Sequence, residues 1–273
     1  MVDMVAPIAT GPWQYFTPAE GIWYQWRLNG SRVFLRRSSE HWQHAAQPKT
    51  RAGLDGVFDG PLPVDEPMGL EKSVSVAAMA AIALRPTMTN KPIVIEAINS
   101  LRISRGHEAQ FTLDLPVSVH FEFESGELLA RLNTFQLNQT WFGDTTSGVL
   151  CFAWPLVLLP SSLAESPAGP TDFGSMLRCQ IIVRNLSKVT LEVKQFAVYT
   201  EMLNIWETDG RLVTDTVLLE GLSDGSLRMG IIPDKKSRSG TWLHPAVVGQ
   251  TDLLIKRGVS FLKSITGITR TEG

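Results

Sequence analysis

Residues 22–37 read Ile22-Trp23-Tyr24-Gln25-Trp26-Arg27-Leu28-Asn29-Gly30-Ser31-Arg32-Val33-Phe34-Leu35-Arg36-Arg37. Ile22, Tyr24, Trp26 and Leu28 alternate with Trp23, Gln25 and Arg27. That is the period of two with which a strand presents its side chains to opposite faces. Asn29-Gly30 follows, and a strand pattern resumes over Ser31–Arg37. The tight hairpin turn that matches strand twist needs positive φ at its central residues, which Asn and Gly tolerate. The stretch predicts a β-hairpin.

The same period recurs along the chain. Strand-like runs lie at Val74–Leu84, Ile93–Ile98, Ala109–Leu115, Val117–Phe123, Leu128–Leu137, Gly148–Leu158, Met176–Arg184, Val189–Ile205, Leu212–Leu219 and Leu227–Ile232. Ser125-Gly126 and Asp209-Gly210 supply turns. Between Ser38 and Leu70 the pattern dissolves. Leu54–Val64, rich in Gly, Pro and Asp, reads as a long irregular connection, and Ser161–Pro170 as a loop. Many strands with almost no helix between them predict an all-β fold of antiparallel sheets, a β-sandwich that is either one large sandwich or two packed ones. No repeat of roughly 20–50 residues argues for a propeller or solenoid. One amphipathic helix is predicted at the C-terminus, capped by Thr251 or Asp252, with Leu254, Phe261, Leu262 and Ile265 on its apolar arc and Lys256, Arg257 and Lys263 on the other. The expected organisation is a hairpin and connection over 1–70, a main sandwich region over 71–250, and helix and tail over 251–273.

Composition narrows the function classes. Of 273 residues 44% are hydrophobic and 19% charged, enough to bury a core and exclude disorder as the main state. Twenty-five basic and 27 acidic residues leave a net charge of -2, without the basic footprint of a nucleic-acid binder. Cys151 and Cys179 lie in apolar runs and read as buried thiols rather than a bridge or a metal site. Met1–Thr10 shows no basic segment leading into an apolar one, and the longest apolar runs fall short of the ~18 residues a membrane span needs. The expectation is a soluble, cytoplasmic protein with no transmembrane segment. Asn138-Gln139-Thr140 and Asn185-Leu186-Ser187 match the glycosylation pattern, which carries little weight without a secretion signal.

Common catalytic signatures are missing: G-x-G-x-x-G, the Gly-Lys of a phosphate-binding loop, H-E-x-x-H and G-x-S-x-G. No catalytic residue is assigned, and no cofactor is specified. The candidate metal set is His120, Glu122 and Glu124, on one face of a strand whose other face carries Val119, Phe121 and Phe123. An imidazole and carboxylates can hold a divalent ion or pair as acid and base. Strand geometry places alternate residues about 6.6 Å apart, so one ion reaches an adjacent pair but hardly all three. A solvated polar face over a buried aromatic one is the plainer reading.

Glu40, His41 and His44 form a second cluster, which would gather only on a helical turn, and a surface turn is the plainer reading. His107 and His244 stand alone. The Asp-Gly pairs at 55, 59, 209 and 224 read as turns, and Lys235, Lys236 and Arg238 as a solvated basic loop. Eight tryptophans, at 13, 23, 26, 42, 141, 154, 206 and 242, are expected mainly in core or interface.

Several stretches resemble a family. Lys91-Pro92-Ile93-Val94-Ile95 followed by Phe111–Val117, with its terminal Pro-Val, is similar to the strand rhythm of domain of unknown function 432, found in archaea and bacteria. Phe135-Gln136-Leu137, Trp141-Phe142-Gly143 and Gly148-Val149-Leu150-Cys151 resemble its turn and following strand, and Leu177–Asn185 its strand ending in Arg-Asn. The resemblance spans about 91–230 and brings no catalytic residues. Some relatives look fused to small-conductance mechanosensitive channel domains, which implies a soluble regulatory or interaction module.

The function expected is therefore a non-enzymatic interaction or regulatory module. Its terminal helix would pack on its own sandwich, dock a protein partner or a second copy through Leu254, Phe261, Leu262 and Ile265, or, least favoured, lie on a membrane surface. The alternative is a metal-dependent or carbohydrate-directed enzyme or binding domain built on His120 with Glu122 or Glu124. A third reading places a ligand between sheets, against Trp141 and Trp154.

Overall fold

The computed structural model describes residues 13–28, 30–48, 58–77, 81–143, 148–156, 176–208, 210–223, 227–233 and 240–246. The fold is all-β. Among the described residues no helix is long and apolar enough to cross a membrane. The predicted helix and its apolar residues Leu254, Phe261, Leu262 and Ile265, the loop 161–170 and the basic residues Lys235, Lys236 and Arg238 lie outside the described residues. The chain divides into two compact units. One comprises 1–87, 116–136 and 169–176, the other 88–115, 137–168 and 177–273.

The first unit is built outward from the hairpin. Strands β1 (Trp23–Leu28) and β2 (Ser31–Arg37) pair antiparallel with Leu28 opposite Ser31, and Gly30 has φ +87°. Asn29 itself lies outside the described residues. The five-stranded sheet is completed by β3 (Trp42–Gln47), β4 (Phe58–Val64) and β5 (Ser73–Ser75), in the order β4-β1-β2-β3-β5. The irregular connection expected over Ser38–Leu70 is thus corrected: it contains two strands. Asp59-Gly60 is no turn, because Asp59 pairs with Arg27 inside the ladder. Pro61 and Pro63 hide the strand from a periodicity reading, yet an edge strand tolerates residues that cannot donate to the ladder.

A second sheet of this unit holds β6 (Ile82–Thr87), β9 (Ser118–Phe123) and β10 (Leu128–Asn133) in the order β10-β9-β6. Its apolar face meets the first sheet ring on ring. Trp26 lies 5.2 Å from Phe121 and Trp42 5.6 Å from Phe123, between ring centroids. Trp26, Trp42, Phe121 and Phe123 are all fully buried, so this seam is the core of the unit.

In the second unit, β11 (Asn138–Phe142), β12 (Val149–Leu156), β7 (Ile93–Ile103) and β14 (Leu191–Val198) form one sheet in the order β11-β12-β7-β14. The other contains β8 (Glu108–Pro116), β13 (Met176–Asn185), β15 (Ile205–Thr208), β16 (Arg211–Thr214), β17 (Thr216–Gly221), β18 (Leu227–Ile232) and β19 (Thr241–His244). Its order is β18-β17-β13-β16-β15-β19, with β8 also on β13. On β13, Leu177, Cys179, Ile181 and Val183 alternate inward without a break. Phe111 of β8 packs 6.2 Å from Phe196 of β14.

The sheets are not wholly antiparallel, a second correction. β12 runs parallel to β7, and β13 runs parallel to both β16 and β17. Period two reports which faces are buried, not strand direction, so the parallel pairs leave no mark in the sequence. The expected strand Val189–Ile205 is broken by a 3-10 turn at Thr200–Met202, and Val74–Leu84 contributes to two strands, β5 and β6.

One buried polar residue organises the turn after β13. Asn185 donates through Nδ2 to the carbonyls of Ile103 (2.8 Å) and Val189 (2.7 Å). Its Oδ1 accepts from the Ser187 amide (2.9 Å) and hydroxyl (2.7 Å). With both amide hydrogens and the oxygen engaged, and no exposed surface, Asn185 serves as a structural clasp for the second unit.

Candidate functional site

The candidate residues on β9 do not form a solvated face. His120 is only 2% exposed and Glu122 half-buried, while Glu124 is exposed one residue beyond the strand. Strand pairing sets Arg85 of β6 and Arg131 of β10 directly beside His120. The segment before β1 covers this face. Phe16 exchanges backbone hydrogen bonds with Ile82, 3.0 and 2.9 Å long, which fixes Tyr15 over the sheet. Phe16 itself packs 5.5 Å from Trp26, anchoring the strap on the core.

The result is a hydrogen-bonded relay. The Tyr15 hydroxyl donates to Glu122 Oε1 at 3.0 Å, and His120 Nε2 lies 2.9 Å from Glu122 Oε2. The Arg85 guanidinium sits over the Tyr15 ring, 5.0 Å from its centroid. Burial, foremost, pushes the His120 pKa down, and the flanking Arg131 and Arg85 push the same way against the pull of Glu122. The Glu122 carboxyl is itself held below the usual carboxylate range. Burial, the largest single influence on it, acts upward but is outweighed by hydrogen bonds from His120 and Tyr15 and by the nearby cations. His120 is therefore neutral and Glu122 ionised near pH 7, which assigns the hydrogen to Nε2 as donor. Burial raises the Tyr15 pKa, so its hydroxyl stays protonated.

Among the described residues no three His, Cys, Asp or Glu side chains gather in metal-binding geometry. Of His120, Glu122 and Glu124, the structure brings the first two together, while Glu124 is exposed one residue beyond the strand. The helical-turn cluster is not formed either. His44 lies on β3, buried, 3.5 Å from Ser75 Oγ, with its pKa lowered by burial. His41 precedes β3, and its Nδ1 lies 2.8 Å from Ser38 Oγ. His107 is exposed with Nδ1 3.0 Å from the Arg105 carbonyl, and His244 lies half-buried on β19. Tyr15 and Arg85, the partners that close the β9 site, were not singled out by the sequence, since Tyr15 meets Glu122 across 107 positions. Only an aromatic hydroxyl just before the first strand hinted at it.

Five tryptophans, 13, 23, 26, 42 and 154, are buried as expected, and Trp206 is half-buried. Trp154 donates to the Asp114 carbonyl at 3.2 Å. Trp141 and Trp242 are each 56% exposed, and both lie on edge strands, β11 and β19. Trp242 leans on its cross-strand neighbour Trp206, 6.2 Å between centroids. Trp141 faces Leu150, itself exposed. Cys151 and Cys179 are buried and form no disulfide.

Fold and site together define an all-β protein whose best-built polar cluster is a partly buried hydrogen-bonded relay. The family model described as Protein of unknown function (DUF432) matches residues 12–242, and the chain belongs to that family. No curated protein and no solved structure matches the chain.

Proposed function

We propose that this chain is a non-catalytic β-sandwich module that works by association, with the edge of β11, which no other described strand pairs, pairing against the same edge of a second copy. The observation that carries this is the pair of exposed residues Trp141 and Leu150, directly opposite one another at that edge. An open strand edge is a template for another chain, and natural sheets blunt edges with charges, prolines or short strands. The edges of this protein follow that practice with few exceptions. β4 carries Pro61 and Pro63, β6 Arg85 and Pro86, β10 Arg131, β14 Glu192 and Lys194, β18 Arg228, and β5 has three residues. β11, Asn-Gln-Thr-Trp-Phe, has neither charge nor proline. β19 also lacks both, but it is four residues long and its tryptophan leans on Trp206.

A second copy is the occupant argued for, because antiparallel edge pairing about a twofold axis is self-complementary and requires no other surface. An exposed tryptophan beside an aliphatic residue is the composition of an interface hot spot. The sealed His120 supports a non-catalytic reading, since a reacting group must reach substrate. Two buried thiols outside any disulfide support a cytoplasmic setting. The test is light scattering with size exclusion on the full chain, Trp141→Ser and Trp242→Ser. A dimer for the full chain and Trp242→Ser, with a folded monomer for Trp141→Ser, supports the reading; a monomeric full chain at high micromolar concentration overturns it.

A second reading rests on the close approach of His120 and Glu122, a pair that can contribute two ligands to a divalent ion. Zinc titration followed by the thermal midpoint tests it. A rise that His120→Asn abolishes would favour metal binding over association alone.

A further inference from the structure

The outer face of the five-stranded sheet carries a separate feature. Trp23, Phe34 and Ala45 form a buried apolar cluster there, against which Val64 and Leu70 pack. Beside it the segment after β4 borders an open surface concavity of about 420 Å³, with Phe34, Val64 and Leu70 among its walls. That volume falls within the range of small-molecule sites. Gln25, Arg32, Gln47 and Asp65 also line it. Strand pairing fixes three of these on one face: Gln25 is opposite Phe34, and Arg32 opposite Gln47.

The charges around this concavity are treated unequally. Arg27, one strand over, is paired with Asp59, and Lys72 is paired with Glu66. Arg32 and Asp65, both solvent-exposed, line the same concavity with opposite signs, and neither has an ion-pair or hydrogen-bond partner among the described residues. A guanidinium presents a planar fork suited to a carboxylate, and a carboxylate accepts from an ammonium. The two glutamine amides can donate or accept between them, and the aromatic and aliphatic wall receives an apolar group. A ligand bearing only an anion would leave Asp65 facing it, and one bearing only a cation would leave Arg32 so placed. A ligand with both charges satisfies both.

We propose that this concavity binds a free α-amino acid with an apolar side chain. Its carboxylate meets Arg32, its ammonium meets Asp65, and its side chain lies against Phe34, Val64 and Leu70. The site is independent of the β11 edge and stands or falls separately.

Isothermal titration of the full chain tests it, with L-phenylalanine, N-acetyl-L-phenylalanine, L-phenylalaninamide and the dipeptide glycyl-L-phenylalanine as probes. The free amino acid should bind with a Kd of roughly 0.1–1 mM, as its size allows. Each blocked form should bind at least about tenfold more weakly. Arg32→Gln should erase the preference for acid over amide, and Asp65→Asn the preference for free amine over acetylated amine. Neither residue has a partner to lose among the described residues, so both variants should keep the wild-type unfolding midpoint. If a variant fails to fold, the four probes on the unaltered chain decide. Absence of binding at about 10 mM free amino acid overturns the proposal. So does equal binding by the blocked forms, or tighter binding of the dipeptide.

Discussion

Replacing Asn185 by alanine removes an amide that holds four hydrogen bonds at the end of β13. Not all are lost without replacement. The Ser187 hydroxyl lies 2.8 Å from the Val189 carbonyl as well as near Oδ1, so it can still serve that carbonyl. The Ile103 carbonyl and the Ser187 amide lose the partner that Asn185 supplies. Three net bonds at ~1 kcal/mol each, with two buried groups left stranded, give about 3–4 kcal/mol. For a unit of this size that lowers the midpoint by roughly 10 °C. Asn185→Asp is the sharper variant. Asp makes the same turn and can accept from Ser187, so a role limited to turn propensity would tolerate it. The buried carboxylate would instead face the carbonyl oxygens of Ile103 and Val189 without a hydrogen to give, and the loss should equal or exceed that of alanine. Thermal unfolding by circular dichroism, resolving the two units where their transitions separate, measures both. An Asp variant within about 1 kcal/mol of the unaltered chain would refute the clasp.

Trp26→Ala should cost the first unit about 3–5 kcal/mol, because the ring is fully buried against Phe121 and Phe16; urea unfolding reads the loss. His120 and His44 are both held neutral by burial, with pKa values below the ordinary 6.5. Their contribution to stability is complete above about pH 6.5 and is lost as pH falls from there toward the folded-state values, since the unfolded chain takes up protons first. Glu122, with its pKa lowered, adds a further loss below its ordinary 4.5. Unfolding midpoints across pH 4–8 should therefore decline toward acid, and His120→Asn should flatten the upper part of that decline. An unchanged slope would contradict the neutral assignment.

Much of the architecture is legible in side-chain alternation. Ile22–Arg37 folds into the hairpin that its period and Asn-Gly turn predict, and Met176–Arg184 reads correctly because every second residue of β13 is buried. β4 escapes because Gly60, Pro61 and Pro63 carry turn chemistry while the strand occupies an edge. The parallel partners of β12 and β13 escape because burial does not encode direction. At the site, alternation correctly sets His120 and Glu122 on the face opposite Phe121, but it cannot say what covers them. Tyr15 is delivered by a strap distant in sequence, and with it a face that reads as solvated becomes a partly buried relay around a buried His120. The uncharged composition of β11, Asn-Gln-Thr-Trp-Phe, is likewise visible in the sequence, yet its place at a sheet edge appears only in the strand order of the described residues.

Hydrogen exchange over 138–142, followed as a function of protein concentration, tests the association account most directly. If β11 pairs with a second copy, its outward amides should gain protection as concentration rises through the dimerisation range, and Trp141→Ser should abolish the gain while β13 amides stay unchanged. Exchange over 138–142 that is identical at low and high concentration, in a chain that scatters as a monomer, would contradict it.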